Sequence, residues 1–339
     1  MSNSTPAVSV LLPFHRARTT LVECMDSIVT QTFAGLEVVA VDDGSPDGSA
    51  ELIDEYVAQD PRVRLLRPGR VGLVAALNLG LEAARAPLVA RMDADDRMEP
   101  ERLALQAGYL QRHPEVDVVG SRVRLFPEQA VGPGLWEYVR WQDLCLSPVD
   151  MAAEIYREAP LVHPTAMFRR DVILGLGGYR QGDFPEDYEL WLRVSHAGRT
   201  MAKLDRVLLH WRQREDSHSR TDPRYSRAAF DRLRSKYLAC DSRLRDGREL
   251  IFWGAGRHTR RRSDLLAQLG HRPAAYVDID PGKIGRCIDG VPVIPPERLP
   301  RSNRSLVLSY VASHGAPELI GRHLQAMGYQ RGRDFLTVG

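Results

Sequence analysis

Cysteine is scarce in this chain of 339 residues, lysine is scarcer, and no long apolar run occurs. The four cysteines, Cys24, Cys145, Cys240 and Cys287, lie far apart in sequence. None has Cys-x-x-Cys or metal-ligand spacing, which excludes a thiolate metal cage and points to a reducing, cytoplasmic setting. Lysine stands only at positions 203, 236 and 283, so the 46 basic residues are almost all arginine. Base composition of the coding DNA explains that skew as readily as function does. Neither sign of charge dominates: the net charge is +2, which gives no case for nucleic acid as a partner. No apolar stretch approaches the roughly 20 residues that cross a bilayer. Residues Met1 to Ala7 lack the charged-then-apolar plan of a signal peptide. What is present suits a folded protein: 43% apolar and 27% charged residues, over a length that accommodates two domains.

Strand and helix patterns alternate through the first hundred residues. Val8-Ser9-Val10-Leu11-Leu12, Leu36 to Val41, Val63 to Leu66 and Leu88 to Met92 are short apolar runs of the buried parallel-strand kind. Between them, Thr19 to Thr30, a segment from Ser49, and Gly72 to Ala84 carry apolar residues at helical spacing. This rhythm predicts an open, mostly parallel α/β sheet flanked by helices. Residues Leu125 to Pro148, with Pro127, Pro133, Gly134 and Pro148, read as an irregular surface segment. Its aromatics Trp136, Tyr138 and Trp141 look exposed, and long loops of this kind often form lids or binding surfaces. The expected organisation is a first domain over 1–240, a linker over 241–247 and a small Rossmann-like α/β domain over 248–339.

The densest chemistry lies in Arg91-Met92-Asp93-Ala94-Asp95-Asp96, directly after an apolar strand. Open α/β sheets place ligands at the carboxyl ends of their strands. Crowded carboxylates resist full ionisation, and a hard divalent cation relieves them. Alone, the motif reads equally well as an acidic turn whose last Asp caps a helix. Asp42-Asp43-Gly44-Ser45 ends the second strand, and Pro13-Phe14-His15-Arg16 ends the first. Each is ordinary turn chemistry by itself. Three polar exits on one sheet edge together favour a nucleotide cleft.

These segments, in this order and spacing, resemble glycosyltransferase family 2, whose nucleotide-sugar-binding fold is called GT-A. The resemblance rests on Val8 to Pro13, Val41 to Asp47, Gly72 to Gly80, Met92 to Asp96 and Glu186-Asp187-Tyr188-Glu189-Leu190-Trp191, and covers about the first 220 residues. It implies an inverting transferase that uses Mn2+ or Mg2+ to move a sugar from a UDP-, dTDP- or GDP-sugar to a hydroxyl on a sugar, lipid-linked or other acceptor. By the same resemblance, Pro13, Phe14, His15 and Arg16 fall where the base is held, and Asp43 where base or ribose is contacted. Gly72 and Asn78 line the nucleotide, Asp93 lies near the ribose, and Asp95 is the metal ligand. Asp187 matches the catalytic base; a carboxylate is needed there because a hydroxyl is a poor nucleophile until its proton is taken. Its simpler reading is an acidic first turn capping a helix.

Many relatives carry a tyrosine-arginine-x-histidine signature that touches the diphosphate or metal. Here His210-Trp211-Arg212 is followed by Arg214 where histidine is expected. Arg212, Arg214 or Arg220 can neutralise a diphosphate through forked hydrogen bonds, and His218 is a second candidate metal ligand. His163 reads as a structural hydrogen bonder. In the last ninety residues, Gly254-Ala255-Gly256 follows a strand and precedes a helix, with Asp278 and Asp280 after the next strand. The third glycine of a dinucleotide fingerprint is missing, so a tight turn beside a basic helix explains the pattern as well. The arginines from Arg199 to Arg262 suit a solvated face and are compatible with peripheral contact at the inner face of the membrane. Two other readings remain open from sequence: a nucleotidyltransferase acting on sugar phosphates, and a nucleotide-sensing regulatory module. Nothing in the sequence sets the oligomeric state.

Overall fold

A computed structural model describes residues 5–214 and 217–339; for His218 and Ser219 it describes the backbone alone. The chain divides into two compact units. The first runs through Pro148 and adds Pro160–Gly182 and Glu189–Asp222. The second joins Val149–Ala159 and Asp183–Tyr188 to Pro223–Gly339.

The elements of the chain through its first half are β1 (Val8–Phe14), α1 (Leu21–Val29), β2 (Leu36–Asp42), α2 (Ser49–Gln59), β3 (Val63–Leu66), α3 (Leu73–Ala83), β4 (Leu88–Arg91), β5 (Arg97–Met98), α4 (Arg102–Arg112) and β6 (Val118–Phe126). There follow α5 (Pro133–Gln142), α6 (Pro148–Glu154), β7 (Met167–Arg169), α7 (Arg170–Gly175), α8 (Glu186–His196), β8 (Met201–Arg212) and the short α9 (His218–Thr221). The large sheet has the order β3-β2-β1-β4-β7-β6-β8-β5. Strands β3, β2, β1 and β4 are parallel, as the apolar runs predict. Beyond β4 the direction mixes, with β7 antiparallel to both neighbours and β5 antiparallel to β8. All seven residues of β1 and of β2 are buried, because helices cover both faces of this part of the sheet. At Gly80 an added Cβ would collide with Leu11, so glycine lets α3 approach β1 closely. Register pairs Phe14 with Asp42 and Leu11 with Arg91, which aligns the exits of β1, β2 and β4 on one edge.

Within the segment expected to be irregular, Pro133–Gln142 form a helix. In α5, Pro133 occupies the first turn, where its missing N–H costs nothing. Val139, Trp141 and Gln142 are buried and Trp136 is exposed. Pro133 and Gly134, two of the residues that suggested a loop, mark the entry to this helix, and the 3–4 spacing of its apolar side chains carries the rest.

The second unit holds α10 (Arg227–Ala239), β9 (Glu249–Trp253), α11 (Arg257–Gln268), β10 (Ala275–Val277), β11 (Cys287–Ile288), β12 (Val291–Ile294), β13 (Ser305–Ser309), α12 (Ala316–Ala326) and β14 (Phe335–Thr337). Its sheet has the order β11-β12-β10-β9-β13-β14, parallel except for the β11–β12 pair. Ile251, Trp253, Val277, Val307, Leu324 and Phe335 form its core. Two earlier segments are built into this unit. The Tyr156 hydroxyl donates to Asp241 Oδ2 at 2.8 Å, and the Tyr188 hydroxyl donates to Ile155 O at 2.8 Å. Tyr188 also stacks on Phe230 of α10, with ring centroids 5.3 Å apart. Among the described residues no helix is long and apolar enough to cross a membrane.

Candidate active site

At the aligned strand exits a cleft of about 380 Å3 opens on the first unit. Pro13, Phe14, His15, Arg16, Asp43, Asp93 and Asp95 all line it, together with Arg70 and Arg214. Gly72, Asn78 and Arg212 are not among the lining residues.

Asp43, at the exit of β2, is buried and already engaged. Its Oδ1 accepts the backbone N–H groups of Val71 and Gly72, each at 2.7 Å, and its Oδ2 pairs with the Arg70 guanidinium. A carboxylate facing two amides and a guanidinium fixes the Arg70–Gly72 turn over the cleft. Gly72 is held there at φ 87° and ψ 157°, a conformation open in practice to glycine alone. His15 Nδ1 donates to the Asp43 carbonyl at 2.9 Å, which leaves Nε2 as the acceptor in the neutral ring.

The acidic turn after β4 is tightly held. Asp96 N donates to Asp93 O at 3.2 Å. From α1 and the residue before it, Thr20 Oγ1 donates to Ala94 O at 3.0 Å and Cys24 Sγ to Asp93 O at 3.3 Å. Arg212 grips the turn from the end of β8. Its Nε donates to Asp95 O at 2.6 Å, its backbone N–H donates to Asp96 Oδ1 at 2.7 Å, and its guanidinium pairs with Glu23 and lies over Phe126. The position taken from sequence as a diphosphate contact thus serves as a clamp on the acidic turn. Behind the turn, the buried Arg102 donates to Arg91 O at 2.8 Å and to Gln106 Oε1 at 3.0 Å. Gln106 in turn donates to the carbonyls of Val119 and Thr165. Sequence reading missed this Arg102–Gln106 pair, whose only signal is two polar residues at i, i+4 on the apolar face of α4.

The electrostatics of the turn follow from crowding and burial. Asp93 forms an ion pair with Arg91, Oδ1 to Nη1, at 2.6 Å. Burial, and then the Asp93 charge, push the Asp95 carboxyl up to about 6, against the opposing charges of Arg214 and Arg212. Asp96 is driven well up by burial first and by Asp93 and Asp95 next, and its buried Oδ2 has no hydrogen-bond partner among the described residues. Burial pushes the Arg102 guanidinium down to about 9. Among the described residues no three or more His, Cys, Asp or Glu side chains gather into a cage for a metal. The turn presents two of its carboxylates, Asp93 and Asp95, to the cleft.

Asn78 acts one layer back. Its Nδ2 donates to Tyr179 O at 2.9 Å and its Oδ1 accepts Tyr179 N–H at 2.8 Å, which fixes the Gly177–Tyr179 turn. His163 Nε2 lies 2.9 Å from the Tyr179 hydroxyl, and burial holds its pKa well below the ordinary value. A neutral, buried imidazole is the structural hydrogen bonder that the sequence suggested. The side chain of His218, the second candidate metal ligand, lies outside the described residues.

Asp187 falls in the second unit, in the first turn of α8, where its Oδ1 accepts the Tyr188 N–H at 2.7 Å. Its neighbour Glu186 is buried and accepts the Tyr225 hydroxyl at 2.7 Å. In the same unit, the Gly254–Gly256 turn is closed by Asp278. Asp278 Oδ2 accepts Ala255 N–H at 3.0 Å and Lys283 Nζ at 3.2 Å, so this carboxylate holds the turn itself.

Residues 9–176 match the family model described as Glycosyl transferase family 2. The amylovoran biosynthesis glycosyltransferase AmsE of Erwinia amylovora is 34% identical over 197 residues, which span 58% of this chain and 71% of AmsE. The chain belongs to glycosyltransferase family 2. The O-antigen biosynthesis glycosyltransferase WbnJ of Escherichia coli is 31% identical over 189 residues, covering 55% of this chain and 71% of WbnJ. Two solved structures share the architecture of this family 2 protein. Residues 1–349 of S. aureus TarS in complex with UDP-GlcNAc align with a TM-score of 0.52 at 15% identity, over 77% of this chain and 80% of that one. The mannosyltransferase PcManGT from Pyrobaculum calidifontis in complex with GDP-Man and Mn2+ aligns with a TM-score of 0.53 at 21% identity, over 79% of this chain and 70% of that one. The large sheet and its helices are accordingly the GT-A fold expected from the sequence.

Proposed function

We propose that this family 2 glycosyltransferase is an inverting, divalent-cation-dependent enzyme that moves a sugar from a nucleoside-diphosphate sugar to an acceptor hydroxyl in cell-surface polysaccharide or glycolipid synthesis. The observation that carries the reading is the placement of Asp93 and Asp95 on the same cleft as the exits of β1 and β2. The donor class is supported by fold neighbours that bind UDP-GlcNAc and GDP-Man. The pathway class is supported by relatives named for amylovoran and O-antigen biosynthesis. Family membership favours sugar transfer over nucleotidyl transfer. An acceptor carried on a lipid would bring the protein to the inner face of the membrane.

The acidic turn suits Mn2+ or Mg2+, because two adjacent hard carboxylates, one of them reluctant to ionise, gain from a hard cation. Asp95, with Asp93 beside it, would hold the ion, whose Lewis acidity would steady the charge gathering on the leaving diphosphate. Asp43 and the Arg70–Gly72 turn shape the base end of the cleft. Asp187 takes the acceptor proton as the hydroxyl oxygen bonds to the anomeric carbon. In the same step the bond from that carbon to the diphosphate oxygen breaks, nucleoside diphosphate departs, and the configuration inverts. Asp187 is favoured over Glu186 for this role because Glu186 is buried and already accepts the Tyr225 hydroxyl.

The Asp187→Asn variant tests the assignment. Turnover should fall about a hundredfold or more, while calorimetric affinity for UDP or GDP with Mn2+ stays within twofold. Ordinary turnover in that variant would remove Asp187 from the mechanism.

A further inference from the structure

Asp187 stands between two neighbours on the chain, and a tyrosine hydroxyl holds each of them. Glu186 and Tyr188 are buried, whereas Asp187 is half-buried. After Asp187, the Tyr188 hydroxyl donates to Ile155 O at 2.8 Å. Before it, Glu186 Oε2 accepts the Tyr225 hydroxyl at 2.7 Å. Among the described residues no guanidinium or ammonium pairs with the Glu186 carboxylate, so the Tyr225 hydroxyl is the donor that offsets its burial. Tyr225 ends the short turn Pro223–Tyr225, in the same compact unit as Glu186 and Asp187. Burial first, and then the charges of Glu186 and Asp187, hold this hydroxyl above the usual tyrosine range, so it keeps its proton and donates. A hydroxyl on an ionised carboxylate makes one of the stronger hydrogen bonds in a protein. The bond joins the first turn of α8 to the segment that leads into α10.

We propose that Tyr225 is a positioning residue: by holding Glu186 it fixes the turn from which Asp187 meets the acceptor hydroxyl. The proposal rests on the reading of Asp187 as the base. A base must lie within hydrogen-bond reach of the proton it takes, and a shift of about 1 Å can slow a reaction about a hundredfold. The pin needs an acceptor oxygen at position 186 and a hydroxyl at position 225. It does not need the charge on Glu186, which separates it from a second acid in the reaction.

The test is a series of variants of the full chain, read by turnover and by hydrogen exchange. Turnover is nucleoside diphosphate released from the UDP-, dTDP- or GDP-sugar that the wild type consumes fastest. Tyr225→Phe should lower kcat about tenfold, with donor KM within about twofold of wild type. Peptides over 183–192 should exchange faster in that variant. Glu186→Gln still offers an oxygen to the hydroxyl and should lose no more than about threefold in kcat. On the Glu186→Ala background, Tyr225→Phe should have no further effect, because the pin is already gone. Tyr329→Phe is the control for lost stability alone, since it removes a hydroxyl that meets Ser305 Oγ at 2.8 Å in the same unit. It should lower the melting temperature and leave kcat and exchange over 183–192 unchanged. Wild-type kcat, or wild-type exchange over 183–192, in Tyr225→Phe would overturn the proposal and leave Asp187 as the base. Losses from Tyr225→Phe and Glu186→Ala that multiply would overturn it too, as would Glu186→Gln as slow as Glu186→Ala. Ordinary turnover in Asp187→Asn would instead remove the base, and the proposal with it.

Discussion

Asp43 shows how one carboxylate can organise a site before any ligand arrives. Its two oxygens collect Val71 N–H, Gly72 N–H and the Arg70 guanidinium, and so fix one rim of the cleft. The sequence made Asp43 legible as an acid at a strand exit, but its partners lie 27 to 29 residues away and could not be read. Arg212 teaches the same lesson from the other side. Its place in the family order was visible, yet whether its guanidinium meets a ligand or a backbone carbonyl depends on tertiary packing. Gly72 gives a residue-level prediction. Alanine at φ 87° and ψ 157° is strained by about 1–3 kcal/mol, and relief would pull the Gly72 amide from Asp43. Gly72→Ala should lower the unfolding free energy by that amount, read as a lower urea midpoint at unchanged slope, and weaken nucleoside diphosphate binding severalfold. Unchanged affinity would mean that the rim tolerates a shifted amide.

At the scale of elements, periodicity succeeded where one face of a segment is apolar and faltered where breakers crowd its start. The parallel strands were read from continuous apolar runs, which only burial on both faces requires. Helix α5 was missed because Gly132, Pro133 and Gly134 masked the apolar spacing behind them. Its C-terminus is held by a buried lysine: Lys203 Nζ, from β8, donates to Gln142 O at 2.6 Å. Burial pushes this ammonium down to about 7. The unfolded chain keeps a lysine near pKa 10.4, so between about pH 7 and 10 the unfolded state binds a proton that the folded state does not. Stability from this group therefore rises with pH across that window, and its full cost stands below pH 7. Lys203→Met should remove the dependence. Its stability relative to wild type should drop by about 2–3 kcal/mol between pH 7 and pH 9, read by urea unfolding at each pH. Parallel curves for the two proteins would show that Lys203 titrates normally.

For the whole molecule, the partition into units matters more than the boundary expected near residue 240. The turn that carries Asp187 belongs to the unit built around the C-terminal sheet. Tyr188 anchors it through the stack on Phe230 and the hydrogen bond to Ile155 O. Residues 241–247, which the sequence suggested as a linker, contain Asp241 and Leu244, both buried, and Asp241 accepts the Tyr156 hydroxyl. Phe230→Ala should therefore cost about 2–3 kcal/mol of stability in the second unit and lower kcat. Affinity for nucleoside diphosphate should be unaffected, because the cleft residues belong to the first unit. A loss confined to donor KM would contradict this division of labour. A thermal-shift panel of UDP, GDP, dTDP and CDP, with and without Mn2+, should raise the melting temperature with one base preferentially. A uniform response across all four would show that the rim formed by Asp43 and Arg70 does not select the base.

The sequence by itself determined the alternation of strand and helix, the family and the acidic exits on one sheet edge. These are local or ordered features, and periodicity and spacing record them directly. Only the tertiary structure decided which group each arginine at the site meets. Arg91 lies two residues from an acid along the chain and Arg70 near none, but packing commits Arg70 and Arg91 to carboxylates and Arg212 to a carboxylate and a carbonyl. A charge acquires its role from what its fold leaves within hydrogen-bonding reach, and that reach is set by residues distant in sequence.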